Sequence, residues 1–118
     1  MFNRKDYVSD ADWKKFLDFS KDLETPNIVI NLSQVEKNFI NLRESFPYAS
    51  IYFAIKSNPG EPVLKLLASL GSNFDVASRY ELDKIMSIGV EASRLSYGNT
   101  IKKARDIKYF YDQGVRMF

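Results

Sequence analysis

The segment IYFAIKSNPGEPVLKLLASLGSNFDVASRYE, residues 51–81, decides how the rest of the chain is interpreted. Its apolar beginning stops at the turn formers of 57–60, which predicts a buried strand closed by a turn. A helix with Pro62 at its first position and an apolar stripe then runs to Gly71, where it ends. The next strand, over 73–77, alternates polar and apolar residues. This order predicts two parallel neighbouring strands joined by a crossover helix.

The polar side chains of these two strands fall near their C-terminal ends. Alternation places Ala54 and Lys56 on one face of the first strand, and Asp75 on the corresponding face of the second. Neighbouring strands lie about 5 Å apart, and βα units carry their chemistry at this end. A desolvated lysine forms Schiff bases with carbonyl compounds, and a nearby carboxylate stabilises the protonated product. The alternatives are a solvated lysine and a structural ion pair between Lys56 and Asp75.

Three further features admit both a structural and a functional interpretation. Ser78 and Glu81 match a capping box, so Glu81 is expected to bind the Ser78 backbone, although it can still face the site from the rim. Asn58 is either a turn former or a hydrogen-bonding group over a ligand. Lys102 and Lys103 fall in the first turn of a predicted helix, which indicates either a nearby anion or a solvated face.

Before this segment, the pattern predicts two helices separated by a strand. Ser9 or the residue after it can cap a helix over about residues 11–22. The β-branched run 28–30 predicts a short strand. Ser33 and Glu36 form another capping box, which opens a helix that ends before a proline.

After this segment, the alternation of helices and strands continues. It predicts a helix ending at Gly89, a strand over 95–97, a helix over 101–112 that Thr100 could cap, and the beginning of a strand over 115–118. Strands recur about every 20 residues, which predicts a parallel sheet with right-handed crossovers.

The predicted fold class is therefore α/β. A complete (β/α)8 barrel needs about 250 residues, so residues 33–118 would form the first half of one, truncated in a strand. Residues 1–32 would form a separate N-terminal helix and strand. A small flavodoxin-like open sheet is the alternative that fits the observed length.

Composition limits the chemistry available to the chain. It has 118 residues, a formal net charge of +2, 45% hydrophobic residues, and neither cysteine nor histidine. Zinc, thiol and Ser-His-Asp chemistry are therefore excluded within this chain, and no metal site is expected. The near-neutral net charge does not indicate a basic surface for nucleic acid. No apolar run approaches the roughly 20 residues of a membrane span. We expect a cytoplasmic protein that binds neither nucleic acid nor membrane.

Several motifs taken together resemble one known family. They are YFAIKSN at 52–58, LGSNFDVAS at 70–78 followed by Glu81, IGV at 88–90, and YGN at 97–99 followed by Lys102. The chain resembles the fold-type III pyridoxal-phosphate (PLP) decarboxylases, which share an alanine racemase-like barrel, and specifically their ornithine/lysine branch. The resemblance covers residues 25–118.

The resemblance implies a cofactor, a reaction and four site residues. Lys56 would be the lysine to which PLP is attached, and Asp75 the aspartate beside the cofactor and that lysine. Glu81 would support both of them, and Ala54 would be the small residue under the cofactor. The implied reaction is decarboxylation of a basic amino acid, ornithine or lysine, to a diamine for polyamine biosynthesis.

The resemblance also implies a longer protein. The phosphate-binding glycines, the histidine that stacks on the cofactor and the substrate-facing residues would lie beyond Phe118, so this portion alone is expected to be inactive. Residues 28–30 would join a C-terminal β-domain, and Asn31 replaces the aspartate usual in the family. The intact protein would be a homodimer with shared active sites. The alternative is a non-catalytic relative of the antizyme-inhibitor or PLP-homeostasis type.

Overall fold

The computed structural model describes residues 3–118, and the chain divides into two compact units, one ending at Asn31 and the other Leu32–Phe118. The first unit contains a 3-10 turn, Arg4–Asp6, and helix α1, Asp10–Ser20. The Ser9 hydroxyl accepts a hydrogen bond from the Asp12 N–H at 3.1 Å, so the predicted cap is confirmed. The helix ends two residues earlier than predicted.

The predicted strand over 28–30 is wrong. The structure assigns no strand to these residues, and Ile28 is 89% exposed. A strand requires a hydrogen-bonded neighbour, and no strand pairs with this run within the part of the chain that the structure describes. β-branched composition alone does not supply that neighbour.

The second unit opens with helix α2, Leu32–Ser45, which ends before Pro47 as predicted. The capping box at its start is wrong, because the helix begins one residue before Ser33 and therefore includes it. Phe39 is the buried residue of α2.

The centre of the second unit is a parallel sheet. Strands β1 (Tyr52–Ala54), β2 (Asn73–Val76) and β3 (Leu95–Tyr97) lie in the order β1-β2-β3. The predicted parallel sheet is confirmed, and the flavodoxin-like alternative is wrong because that topology would place β1 between the other two strands. The predicted strand over 115–118 is reduced to one parallel bridge, between Met117 and Ser96.

Three helices connect and follow these strands: α3, Glu61–Ser69; α4, Arg79–Ser87; and α5, Ala104–Asp112. The predicted end of α3 is confirmed at Gly71, whose φ of 86° lies in the left-handed region that glycine adopts at low cost. The predicted start of α5 at residue 101 is wrong. Lys103 occupies its N-cap position, so Thr100 is not the cap.

The core lies on one face of the sheet. Phe74 and Val76 of β2 are fully buried there, whereas Asn73 and Asp75 on the opposite face are only partly buried. Tyr97 of β3 stacks on Phe110 of α5 with 3.9 Å between ring centroids. The sheet therefore has one apolar face, which packs into the core, and one polar face.

In the described part of the chain, no helix is long and apolar enough to cross a membrane.

Candidate functional site

The candidate site lies on the polar face of the sheet, at the C-terminal ends of its strands. Strand register places Ala54 beside Asp75 and Asp75 beside Ser96. Partners in the register of a parallel sheet direct their side chains to the same face. These three residues therefore form a row across the sheet, with the smallest side chain on β1.

Lys56 follows β1 directly, but it is not part of the strand. It lies in a 3-10 turn, Ile55–Ser57, which is closed by the Asn58 N–H donating to the Ile55 carbonyl at 3.1 Å. The Ser57 hydroxyl also donates to the Ala54 carbonyl at 2.7 Å. Strand alternation therefore stops before Lys56, and the prediction that this lysine lies within the strand is wrong.

The side chain of Lys56 is exposed. Among the residues that the structure describes, no ion pair joins Lys56 to Asp75. A buried ion pair would require both charges to leave water together. The structure thus contradicts the ion-pair interpretation and leaves an accessible amine at the end of β1.

Two residues lie against the Asp75 carboxylate. One is Ser96 in β3, and the other is Gly98 in the loop that follows β3. The Ser96 hydroxyl donates a hydrogen bond to Asp75 Oδ1 at 2.7 Å. A Cβ atom at position 98 would lie 2.1 Å from the same oxygen, so only a glycine leaves room for this carboxylate. Sequence reasoning gave Ser96 no role and treated Gly98 only as part of a motif.

Glu81 binds the loop between β2 and α4. Ser78 caps α4 as predicted, since its hydroxyl accepts from the Glu81 N–H at 3.2 Å. The Glu81 carboxylate accepts a hydrogen bond from the Ala77 N–H at 2.6 Å, one residue before the position that a capping box requires. The predicted bond to the Ser78 backbone is therefore wrong. Glu81 instead fixes the residue that directly follows β2.

The loop after β3 also binds Ala77. The Asn99 amide donates to the Ala77 carbonyl at 3.1 Å, and its side-chain oxygen accepts from the Ile101 N–H at 3.3 Å. Lys102 donates to the Asn99 carbonyl at 2.5 Å and lies 5.3 Å from the ring centroid of Tyr97. Lys102 therefore precedes α5, and its side chain binds a backbone carbonyl of the same chain. The prediction that it lies in a first helical turn is wrong.

Asn58 acts as a turn former in this structure. Its side-chain oxygen accepts a hydrogen bond from the Gly60 N–H at 3.0 Å, which is typical of an Asx turn. The turn is also held from α4, where Lys84 donates to the Pro59 carbonyl at 2.5 Å. Both contacts fix the loop that follows Lys56.

Residues 32–118 match the family described as pyridoxal-dependent decarboxylase, pyridoxal binding domain. The chain belongs to this family. The match covers the whole second unit, including Lys56, Asp75 and Glu81, and it confirms the resemblance and the expected cofactor of the family.

Two curated relatives show which kinds of protein this chain resembles in sequence. It is 40% identical over 105 residues to a lysine/ornithine decarboxylase of Selenomonas ruminantium, an alignment covering 89% of the chain and 27% of the relative. It is also 34% identical over 89 residues to antizyme inhibitor 2 of Xenopus laevis, covering 75% and 20% respectively. The chain therefore spans about a quarter of the length of these relatives.

Solved structures confirm the fold of this family member. A crystal structure of lysine decarboxylase from Selenomonas ruminantium matches with a TM-score of 0.78 and 38% identity, over 92% of the chain and 29% of that structure. A structure of SrLDC in complex with PLP and cadaverine matches with the same TM-score and identity, over 92% and 28%. The predicted N-terminal part of the decarboxylase barrel is thus confirmed. The roles of Lys56, Asp75, Glu81 and Ala54 stay predictions.

Proposed function

We propose that the polypeptide containing this chain is a PLP-dependent decarboxylase that converts ornithine, lysine or both to a diamine for polyamine biosynthesis. The observation that carries the proposal is the accessible Lys56 amine directly after β1, at the same end of the sheet as the Asp75 carboxylate. Membership of the decarboxylase family and the similarity to a lysine/ornithine decarboxylase support it.

The described residues fit a carbonyl-bearing cofactor at this end of the sheet. Lys56 is exposed to water, and it forms no ion pair with any of residues 3–118. Ala54 on β1 leaves space beside Asp75, and the glycine at position 98 leaves room for the Asp75 carboxylate itself, with which a Cβ atom would collide. We assign Lys56 as the attachment residue for PLP and Ala54 as the small residue beneath it.

When bound, PLP would supply the electron sink for the electron pair left as the α-carboxylate departs as carbon dioxide. The residues of this chain position and charge-balance the site. The Lys56 amine must lose its proton before it can attack a carbonyl carbon, and its exposure gives water access to that proton. The Asp75 carboxylate provides negative charge at the same end of the sheet. Glu81 holds the Ala77 backbone and so supports the loop next to Asp75.

We further propose that the intact protein is a cytoplasmic homodimer with shared active sites, with an amino acid as its small-molecule substrate. In that assembly, residues 1–32 would associate with a β-domain and residues 33–118 would form the first half of the PLP-binding barrel. The resemblance to the family supports this assembly, and the match of the second unit to a pyridoxal binding domain supports the placement of the barrel. Gel filtration with light scattering on the longest polypeptide that the gene encodes would test the dimer.

A non-catalytic PLP-binding or regulatory protein is the second candidate. The observation favouring it is the 34% identity to antizyme inhibitor 2. Proteins this similar to the chain therefore include one that is named as an inhibitor of antizyme. A decarboxylation assay with ornithine and lysine separates the two functions. Release of carbon dioxide supports the enzyme, whereas PLP binding without turnover supports the second candidate.

Borohydride reduction tests the attachment residue directly. Reduction of the longest gene product in the presence of PLP, followed by peptide mapping, is expected to label Lys56. Lys56→Ala should lose the label and reduce decarboxylation at least about a hundredfold, because no other group replaces an attachment nucleophile. Lys65→Ala is the matched control, since Lys65 is an exposed lysine on α3 paired with Glu61 at 2.6 Å. Unchanged decarboxylation in Lys56→Ala would contradict the proposal.

A further inference from the structure

Ser96 differs from the other buried serine in what its hydroxyl binds. Ser72, 1% exposed, donates to the carbonyl of the adjacent Asn73 at 2.8 Å, which is a local backbone contact. Ser96, 9% exposed, donates instead to the side chain of Asp75, 21 residues away in sequence. A serine that binds a site carboxylate acts on the orientation of that carboxylate.

Gly98 limits the same carboxylate sterically. A Cβ atom at position 98 would lie 2.1 Å from Asp75 Oδ1 and 2.5 Å from Oδ2. A carbon and an oxygen at that distance would overlap. A glycine at position 98 is therefore needed for the Asp75 side chain to approach the backbone this closely. Ser96 binds the carboxylate from the neighbouring strand, and the backbone at Gly98 lies against it.

We propose that Ser96 and Gly98 form a clamp that sets the orientation of the Asp75 carboxylate toward a cofactor held at Lys56. The inference rests on the proposed function, and it makes Ser96 a positioning residue that acts through Asp75. An aspartate side chain has two rotatable torsions and samples several rotamers unless neighbours select one. The hydrogen bond from Ser96 and the Gly98 backbone that lies against the carboxylate together restrict the rotamers open to Asp75.

A double-mutant cycle tests whether Ser96 acts through Asp75. The readout is the dissociation constant of PLP, measured by absorbance on the longest polypeptide that the gene encodes. Ser96→Ala is expected to weaken PLP binding about fivefold to tenfold, which lies within the usual net worth of one hydrogen bond. In an Asp75→Ala background, the same change should alter the constant less than about twofold, because the acceptor is absent.

Ser72→Ala is the matched control for the loss of a buried serine hydroxyl. It is expected to leave PLP affinity unchanged, since Ser72 precedes β2 at the opposite end of the strand from Asp75. Gly98→Ala is the second variant and displaces the same carboxylate by contact rather than by loss of a bond. It should weaken PLP binding at least as much as Ser96→Ala, with a small change in melting temperature because a side chain, not backbone, must move.

The outcomes separate the clamp from the proposed function. Label at Lys56 in the wild type, with weakened PLP binding in Ser96→Ala that disappears in the Asp75→Ala background, supports the clamp. Normal labelling with equal PLP affinities in Ser96→Ala and Ser72→Ala would overturn the clamp alone. Additive losses in the double variant would also overturn it, since Ser96 would then act independently of Asp75. Absence of label at Lys56 in the wild type would overturn both the proposed function and the clamp.

Discussion

At the scale of single residues, Glu81 contributes to the stability of the fold, separately from any role beside a cofactor. Its carboxylate accepts the Ala77 N–H at 2.6 Å, a charge-assisted hydrogen bond in a partly buried position. Glu81→Ala is expected to reduce the free energy of unfolding by about 1–2 kcal/mol, because the Ala77 N–H loses its acceptor. Urea titration measures this change.

Two further variants show whether the Glu81 contact is responsible. Glu81→Gln keeps an oxygen acceptor and should retain most of the stability. Glu44→Ala, on an exposed position of α2, should change stability by no more than about 0.5 kcal/mol. Equal losses in Glu81→Ala and Glu44→Ala would show that the bond to Ala77 contributes nothing specific.

At the scale of elements, α4 and α5 are joined by an ion pair and by a hydrogen bond from a tyrosine. Arg79 Nε lies 2.7 Å from an Asp106 oxygen, and the Tyr109 hydroxyl donates to Asp83 at 2.6 Å. The hydrogen bond to Asp83 raises the pKa of Tyr109 above its ordinary value of 10.0. A folded-state pKa above the unfolded-state value stabilises the fold below about pH 10, and this contribution is lost as pH rises through the folded-state pKa.

Tyr109→Phe should therefore lose less stability than the wild type between about pH 9 and pH 11, as followed by melting temperature. Some alkaline loss should remain, because burial raises the pKa of Tyr97 in the same direction. Tyr80→Phe is the matched control, since Tyr80 is 71% exposed on α4. An identical alkaline profile for wild type and Tyr109→Phe would exclude Tyr109 as the source.

At the scale of the whole second unit, the sheet has an unpaired edge. Within the described residues, β1 pairs with β2 alone, and a cavity of about 380 Å³ lined largely by apolar side chains, including Phe39 and Leu42, lies beside it. Open strand edges with apolar neighbours are templates for association. We expect the 118-residue chain, prepared by itself, to bind an apolar dye and to self-associate with increasing concentration, measured by sedimentation velocity.

Charge at this edge should oppose that association. Leu42→Lys is expected to lower the sedimentation coefficient at a given concentration, because Leu42 is 46% exposed and lines the cavity. Tyr80→Lys places the same charge on an exposed helical position that does not line this cavity, and should have a smaller effect. Concentration-independent sedimentation of the wild-type chain would contradict the prediction.

Much of the fold of the second unit could be predicted from local signals. β1, α3 and β2 follow from apolar runs bounded by turn formers, and Gly71 marks the end of a helix by its conformational freedom. The motifs that include Lys56 and Asp75 placed the chain in its family, which the match over 32–118 confirms. These conclusions needed only residues close together in sequence.

Local signals failed where a partner decides the structure. Residues 28–30 have strand-like composition but no neighbouring strand in the described chain. The segment before α5 has helical spacing, but its bonds to Asn99 hold it as a turn. Lys56 continues an apolar run in sequence, whereas a 3-10 turn ends the strand alternation before it.

The sequence by itself thus determined the family and the order of β1, α3, β2, α4, β3 and α5, because both depend on residue type and local spacing. Only the tertiary structure decided the contacts around Asp75. Ser96 and Gly98 meet its carboxylate through the register of β2 with β3, and Glu81 selects the Ala77 N–H through the geometry of one loop. Contacts between residues about 20 positions apart depend on strand pairing and close approach, which no local pattern encodes.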